Sequence, residues 1–537
     1  MSTLIEQMAD FTVGLSWRDV PERVLRKARW QQLSALGAVH ASARHQLGQH
    51  ALRAVERLAG EGTASLLPSG RKVDVMSAVY AASALSLALD YDDYLLFGHS
   101  GHSAVCVSLL VGQHVGASLR DVLLAQIAAN EIAGRIGAAV VLGPHNGQAW
   151  SFIHLAAAAA STARLLGLSA RQTAHAVAIA MYQPNYVLWP GFMGPESKVT
   201  TAATPAVAGV RAAFLAAQGA TGALDILECR GGFLDRFSYC PLPRFLTGYG
   251  RAWTTDTLAF KPVPGCAYVD ATVDAMLDLR QTLERQAPDR LRQGVDIDVA
   301  ATLLTVEMDA LARAGGSFDP LAPVSINFSI AGNVAIAWHA GSIGPDQLAP
   351  AWLRQHADAL LPTASSVRLR HDPAMTTRLL VAIEEAICLR AALGGIPARK
   401  LSRALLRMLR ARPQKHGTGR APAREWVEAL RLVAASLPRR QPAIPFDLGD
   451  YDLSALRMPF SARVVVRWRD GSSHTREQVI PRGAPGRPDR ETQQLVIDKC
   501  LRECTPLLGA AGAASVVDTA SDPRASAADL LRAACAG

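Results

Sequence analysis

The chain has 537 residues, with 55 Lys plus Arg against 46 Asp plus Glu and a net charge of +9. Half of it is hydrophobic and 19% is charged. That excludes a disordered or low-complexity chain, which would carry more charge and less apolar surface. At ~100–200 residues per domain the length predicts two to four domains, each long enough to bury a core.

Residues 1–258 read as a large helical domain. From Pro21 to Ala41, the residues Val24, Leu25, Ala28, Leu33, Leu36 and Val39 recur at helical spacing between basic ones. Met76 to Leu89 is almost wholly apolar and stops at an acidic cluster. Ile136 to Ala163 is uncharged, but Gly143, Pro144, His145, Asn146 and Gln148 interrupt it, so a loop and a buried helix are expected there rather than a membrane span. Ser151–Leu168 and Ala202–Ala217 are Ala-rich, which predicts closely packed helices, and Ser169 is placed to cap the next one.

Residues 259–378 predict the first part of a smaller α+β lid domain. Val324–His339 begins with strand-like alternation at Ile326, Phe328 and Ile330, and Ser366–Arg370 is a second strand candidate. Residues 379–457 read as a basic helical insertion. In 458–488, Ala462–Trp468, Asp470-Gly471 and His474–Ile480 predict a β-hairpin with a type I′ turn. Residues 489–537 return to helix. The expected fold class is therefore mainly α with a smaller α+β lid.

The positive charge is local. Arg390 to Arg440 holds 13 basic residues and two acidic ones, a net +11, which leaves −2 for everything else. Leu401, Leu405, Leu406 and Leu409 with flanking Arg403, Arg407 and Arg410 predict an amphipathic helix there. Its only aromatic residue is Trp426, too few for base stacking, so nucleic-acid binding is not expected. Eight cysteines without C-x-x-C spacing suggest free thiols, and Cys500 and Cys504 lack further zinc ligands. Met1 to Asp10 lacks a cationic signal region, so a soluble cytoplasmic protein is expected.

Standard nucleotide and metal motifs are absent. Gly98-His99-Ser100-Gly101-His102 resembles a nucleophile elbow, but its second Gly is misplaced and a helical stretch precedes it. The unusual feature is a polar line, Asp90-Tyr91-Asp92-Asp93-Tyr94 followed by His99, His102 and Ser103, set between two apolar helices. Such groups are costly to bury without use, and an Asp can orient a His that abstracts a proton near neutral pH. Lys198 and Lys261 stand alone in nearly uncharged surroundings and suit an anionic substrate.

These residues resemble the MmgE/PrpD family, which includes 2-methylcitrate dehydratase, cis-aconitate decarboxylase and iminodisuccinate epimerase. The resemblance rests on Asp90-Tyr91-Asp92-Asp93 and the following Gly-His-Ser elements, on Leu165-Leu166-Gly167-Leu168-Ser169, and on Lys198 with Ala212-Ala213-Phe214-Leu215-Ala216 and Gly231-Gly232-Phe233. Its fourth element is Lys261-Pro262-Val263-Pro264-Gly265-Cys266. It covers about residues 1–375, and 458–510 more loosely. It implies a helical domain with a lid, an active site between them, a homodimer, and no metal or organic cofactor.

Carried over, Asp90 resembles the family's acidic site residue, His102 or His99 its first His, and Lys198 and Lys261 its two lysines. The second His falls at Gln148, with His145 and His154 nearby as alternatives. A later His falls at Asp270 and the lid tyrosine at Gly332. Asp93, Tyr94, Ser103, Cys266 and Tyr268 complete the expected substrate-binding set. The resemblance implies a lyase or isomerase that abstracts a proton beside a carboxylate, with Asp90 orienting the His. The changed positions motivate a rival reading, a scaffold protein acting through its basic insertion.

Overall fold

The computed structural model of the protein describes residues 2–410 and 446–536 except positions 146 and 315, with backbone alone at 409–410. Its main body is helical: α1 (Glu22–Arg44), α2 (Val75–Ala88), α3 (Gly101–Val115), α4 (Leu119–Ala139), α5 (Ile153–Leu165), α6 (Ala170–Ala180) and α7 (Thr200–Ala217). The Ala-rich stretches pack as their composition dictates. In α5 every residue from Ile153 to Ala163 is buried, and α7 packs against α2, α5 and α6. Small side chains let these backbones approach closely. At Gly209 of α7 a Cβ would lie 2.4 Å from the Leu155 carbonyl oxygen and 2.7 Å from the Ala158 Cβ. Ser169 caps α6 in a reciprocal capping box with Gln172. Glu196–Ala217 is long and apolar enough to cross a membrane by length and composition, and its α7 part is packed among these helices.

Two short strands, β1 (Asp93–Tyr94) and β2 (Ala259–Phe260), pair antiparallel, Asp93 with Phe260 and Tyr94 with Ala259. Beyond them lie α8 (Asp270–Gln286) and a four-stranded sheet. This sheet orders as β4 (Val367–His371), β3 (Val295–Ala301), β5 (Ala462–Trp468) and β6 (Ser473–Gln478). The β3–β4 pair is parallel and the other two pairs are antiparallel. Segments 259–378 and 458–488 thus share one sheet although a long stretch of chain separates them. The outer strand β6 is exposed over Ser473–Glu477, and its His474, Arg476 and Glu477 make a polar edge that resists further pairing.

Several local expectations change. Val324–His339 is not a strand. Pro323–Asn327 (α9) and Ile330–Ala340 (α10) are helices, with Pro323 in the first turn of α9 and the Ser329 hydroxyl accepting from the Gly332 N–H at 3.1 Å to cap α10. Nearly every residue there is buried, so apolar side chains recur regardless of period. The hairpin forms, but its turn is not type I′. That turn requires positive φ at both central residues, and only Gly471 has it, at 84°. Before Gly98 the helix has already ended at Ala88 and β1 intervenes, so the stretch is not continuously helical.

Helix α11 (Pro373–Ile387) crosses from the preceding segment into the basic one, which then contributes α12 (Ala398–Arg410). In α12, Leu401 and Ala404 are buried while Arg403, Arg407 and Leu406 are exposed. Arg412, Lys415, Arg420, Arg424, Trp426, Arg431, Arg439 and Arg440 lie outside the described residues. The chain then returns along α1 as α13 (Asp489–Ser521), interrupted at Gly509 with φ 70°, and ends in α14 (Ala527–Ala533).

Because Gly209 sets the α5–α7 spacing, Gly209→Leu is expected to force the helices apart. Overpacking of this kind costs about 1–3 kcal/mol. The cost reads out as a lower urea midpoint than Gly209→Ala, and equal midpoints would contradict the packing argument.

Candidate active site

The polar line sits where α2 ends. Asp90 adopts φ 53°, a left-handed conformation that Asp tolerates better than most residues. Two contacts hold it there. Its Oδ2 is ion-paired with Lys198 Nζ, both side chains having no solvent exposure. Its backbone carbonyl accepts from Lys261 Nζ at 2.9 Å. Lys198 also faces two rings, its Nζ lying 4.8 Å from the Phe328 centroid and 6.0 Å from that of Phe192. Lys261 comes from the next position after β2, so the β1–β2 pairing delivers it to Asp92.

Asp92 is the hub. One oxygen takes Lys261 Nζ at 2.5 Å. The other takes His99 Nδ1 at 2.5 Å and lies 3.3 Å from His102 Nε2, the latter contact being off-line for a hydrogen bond. Burial opposes the charge on Asp92. The nearby Lys261, then His99, outweigh it and hold the carboxyl well below the usual range. Burial also opposes the charge on Lys261, and Asp92 and Asp90 hold its ammonium above its ordinary value. Lys261 and Asp92 therefore stand as an ion pair.

Ser86 Oγ lies 2.9 Å from the Ser83 carbonyl and 2.8 Å from His102 Nδ1, and its single proton serves one of these contacts. His99 donates its Nδ1–H to Asp92, which leaves Nε2 without a proton and, among the described residues, without a hydrogen-bond partner. Burial, opposed by Asp92, lowers the pKa of His99 and favours this neutral form. His154 Nδ1 lies 2.9 Å from Ser103 Oγ, and its ring is 5.7 Å from that of His102. Burial, with His102 and His99 adding to it, holds His154 well below the ordinary His range.

Asp92, His99 and His102 offer one donor atom each within 4.8 Å of one another. A divalent cation there would face the Lys261 ammonium already on Asp92 and displace the His99 proton. The donor set therefore fits proton transfer and anion binding better than metal coordination.

The remaining expected residues divide. Asp93 lies behind the hub, its Oδ2 accepting from Gln31 Nε2 at 2.6 Å, and burial pushes its pKa up to about 6. The Tyr94 ring lies 5.6 Å from that of His99. Burial pushes its hydroxyl, and the carboxyl of Asp270, well above their usual ranges, and among the described residues Asp270 Oδ1 has no hydrogen-bond partner. The Cys266 thiol is pushed up to about 12 by burial and then by Asp90. Tyr268 does not face the cluster with a free hydroxyl, because it donates to the Phe328 carbonyl at 2.9 Å. His145 and Gln148 come from the stretch before α5, Gln148 in a single 3-10 turn and the His145 ring 5.0 Å from that of Trp189. Gly332 is part of the α10 cap. Ser100 is buried and donates to Asn130 Oδ1 at 2.7 Å, consistent with rejecting a serine nucleophile.

One expected role changes hands. Asp90 contacts Lys198 rather than a histidine, and the carboxylate that orients His99 is Asp92. Lys499 was not foreseen. Its buried Nζ donates to the Tyr91 carbonyl at 2.5 Å and to Ser34 Oγ at 2.9 Å, bracing the Asp90–Asp93 turn from behind. Thr492, Val496, Lys499, Cys500 and Glu503 share the buried stripe of α13, so a cation at an apolar helical position was its visible signal.

Burial, opposed by Asp92 and Asp93, pushes Lys499 down to about 7. The unfolded chain keeps this ammonium protonated to about pH 10.4. Between those values the native state binds fewer protons, so stability rises with pH. Wild-type protein is expected to gain urea stability relative to Lys499→Met between pH 7 and pH 9.5. A difference that stays constant would show that this ammonium is not desolvated.

Residues 6–244 match the MmgE/PrpD N-terminal domain, a stretch that holds every site residue named above except those from Lys261 onward. The chain is also similar to the cis-aconitate decarboxylase-like protein oryM of Aspergillus oryzae (strain ATCC 42149 / RIB 40), at 26% identity over 315 residues. That match covers 53% of this chain and 62% of the relative, so the chain spans less than two thirds of the relative's length. With its mainly helical body and smaller α+β part, the chain is similar to the MmgE/PrpD family over residues 6–244.

Proposed function

We propose that the protein is a lyase of the dehydratase or decarboxylase type, acting on a small carboxylate through an enolate-like anion. The match of residues 6–244 to the MmgE/PrpD N-terminal domain and the similarity to a decarboxylase-like protein support this class of role. The observation that carries the reading is Asp92, held at once by Lys261 and His99 beside the buried Lys198–Asp90 pair. A proton acceptor and two ammonium groups thereby converge in one water-poor cluster.

In this reading the substrate carboxylate enters between Lys198 and Lys261. His99 Nε2 takes the proton from the adjacent carbon, and Asp92 stabilises the imidazolium that forms. The electron pair of the broken C–H bond moves onto the carboxylate as an enediolate. Fixed cations in a low-dielectric site stabilise such developing charge without reorganising. In dehydration the pair then expels hydroxide, which leaves as water after taking a proton from a neutral acid, and Asp270 fits that role. In decarboxylation the C–CO2 bond supplies the electron pair, CO2 leaves, and the resulting carbanion is reprotonated. Epimerisation shares the same anion and returns the proton on the opposite face.

The test is deuterium exchange, followed by NMR in heavy water, across a panel of hydroxy- and unsaturated carboxylic acids. His99→Asn is expected to slow exchange by about 10²–10⁴-fold, the usual contribution of a positioned base. Lys261→Met and Lys198→Met are expected to abolish detectable exchange. Exchange at the wild-type rate in both His99→Asn and His102→Asn would refute the mechanism.

A further inference from the structure

We propose that the substrate carries an uncharged apolar arm, received by an aromatic strip that runs outward from Lys198. The inference rests on the reading of Lys198 as a carboxylate anchor. From the Lys198 ammonium the rings follow one another toward solvent. Phe192 lies 6.0 Å from Nζ, Trp189 is 5.9 Å from Phe192, His145 is 5.0 Å from Trp189, and Tyr186 is 4.5 Å from His145. Burial falls along this path: Phe192 is 2% exposed, Trp189 is half-buried and Tyr186 is 51% exposed. Four of these five groups come from one irregular segment, residues 186–198, so chain connectivity itself ties the anchor to the strip.

The neighbouring loop adds an independent observation. His145 is 5% exposed and Gln148 is 6% exposed. Among the described residues neither ring nitrogen of His145 and neither amide atom of Gln148 meets a partner at hydrogen-bonding distance and angle, although the Val187 and Pro144 backbones lie near enough to His145 to favour its protonated form. Native proteins rarely leave such groups unmet, since a buried polar atom without a partner has lost its hydration with nothing in return. Two whole side chains in this state, four residues or fewer apart, are explained by a ligand that meets them. Burial lowers the pKa of His145, so its ring is neutral and can both donate and accept. Among the described residues none of the groups making up the strip is charged beyond Lys198 itself. A second carboxylate would find no cation along it. An alkyl or acyl chain with a neutral hydrogen-bonding group would fit both the rings and the unmet polar atoms.

Isothermal titration of the full-length protein with butanedioate and its 2-methyl to 2-hexyl derivatives tests the idea. A buried methylene is worth about 0.8 kcal/mol, so each added CH2 is expected to tighten binding by about 4-fold. The half-exposed Tyr186→Ser should flatten this slope while leaving butanedioate affinity unchanged, and Gln148→Leu should steepen it. A flat series in wild-type protein, with butanedioate binding still lost in Lys198→Met, overturns the arm alone. Full chain-length dependence in the combined Tyr186→Ser, Trp189→Ser variant does the same. Butanedioate binding that survives Lys198→Met, or no binding by any member of the series, removes the anchor and with it both readings.

Discussion

Two ion pairs, Asp90–Lys198 and Asp92–Lys261, are shut away from solvent at the end of one apolar helix, and the surrounding architecture follows from that burial. Removing a charge from water costs several kcal/mol even after relaxation, and a partner repays it only when the geometry is good. Each element around the pairs supplies a part of that geometry. The left-handed turn at Asp90 points consecutive backbone and side-chain oxygens at two different ammonium groups. The short β1–β2 pairing fixes the register that places Lys261 against Asp92. Phe192 and Phe328 present ring faces to Lys198, which replaces part of its lost hydration.

Behind this layer a second set of polar contacts keeps the turn from relaxing. Gln31 on α1 holds Asp93, Asn130 on α4 holds Ser100, and Lys499 on α13 holds the Tyr91 carbonyl. These contacts come from three helices far apart in sequence. The return of the chain after the sheet is therefore part of the site, since α13 brings Lys499 to the turn that α2 and β1 build.

Much of this was legible in the residues. Periodicity located α1 and α13, apolar or Ala-rich composition located α2, α5 and α7, and Ser169 and the hairpin strands announced themselves by capping and alternation. The acidic run and the two isolated lysines marked the site because charge is expensive where everything else is apolar. What could not be read was which of three carboxylates within four positions points where. That depends on the positive φ at Asp90, which spacing does not encode. The alternation at Ile326, Phe328 and Ile330 misled because a fully buried segment carries apolar residues at every period. Lys499 escaped notice because its role depends on α13 lying against Tyr91, a long-range contact with no local trace beyond a cation on an apolar stripe.

The same residues recast the meaning of the net charge. The +9 of the chain belongs to one basic segment of the sequence, whereas the buried ion pairs are balanced, with two carboxylates against two ammonium groups. A balanced site does not attract an anion by excess positive charge. In the proposed reaction, binding would share cations already engaged, so Asp90 and Asp92 would compete with the incoming carboxylate for Lys198 and Lys261. The imidazoles would resolve that competition. Once His99 had taken a proton, Asp92 would face a second cation, its hold on Lys261 would weaken, and the ammonium would turn toward the charge forming on the substrate. The proposed mechanism thus favours the anion that develops during reaction over the carboxylate that first binds. That preference is what an enzyme needs if its interactions are to lower a barrier rather than deepen a ground state.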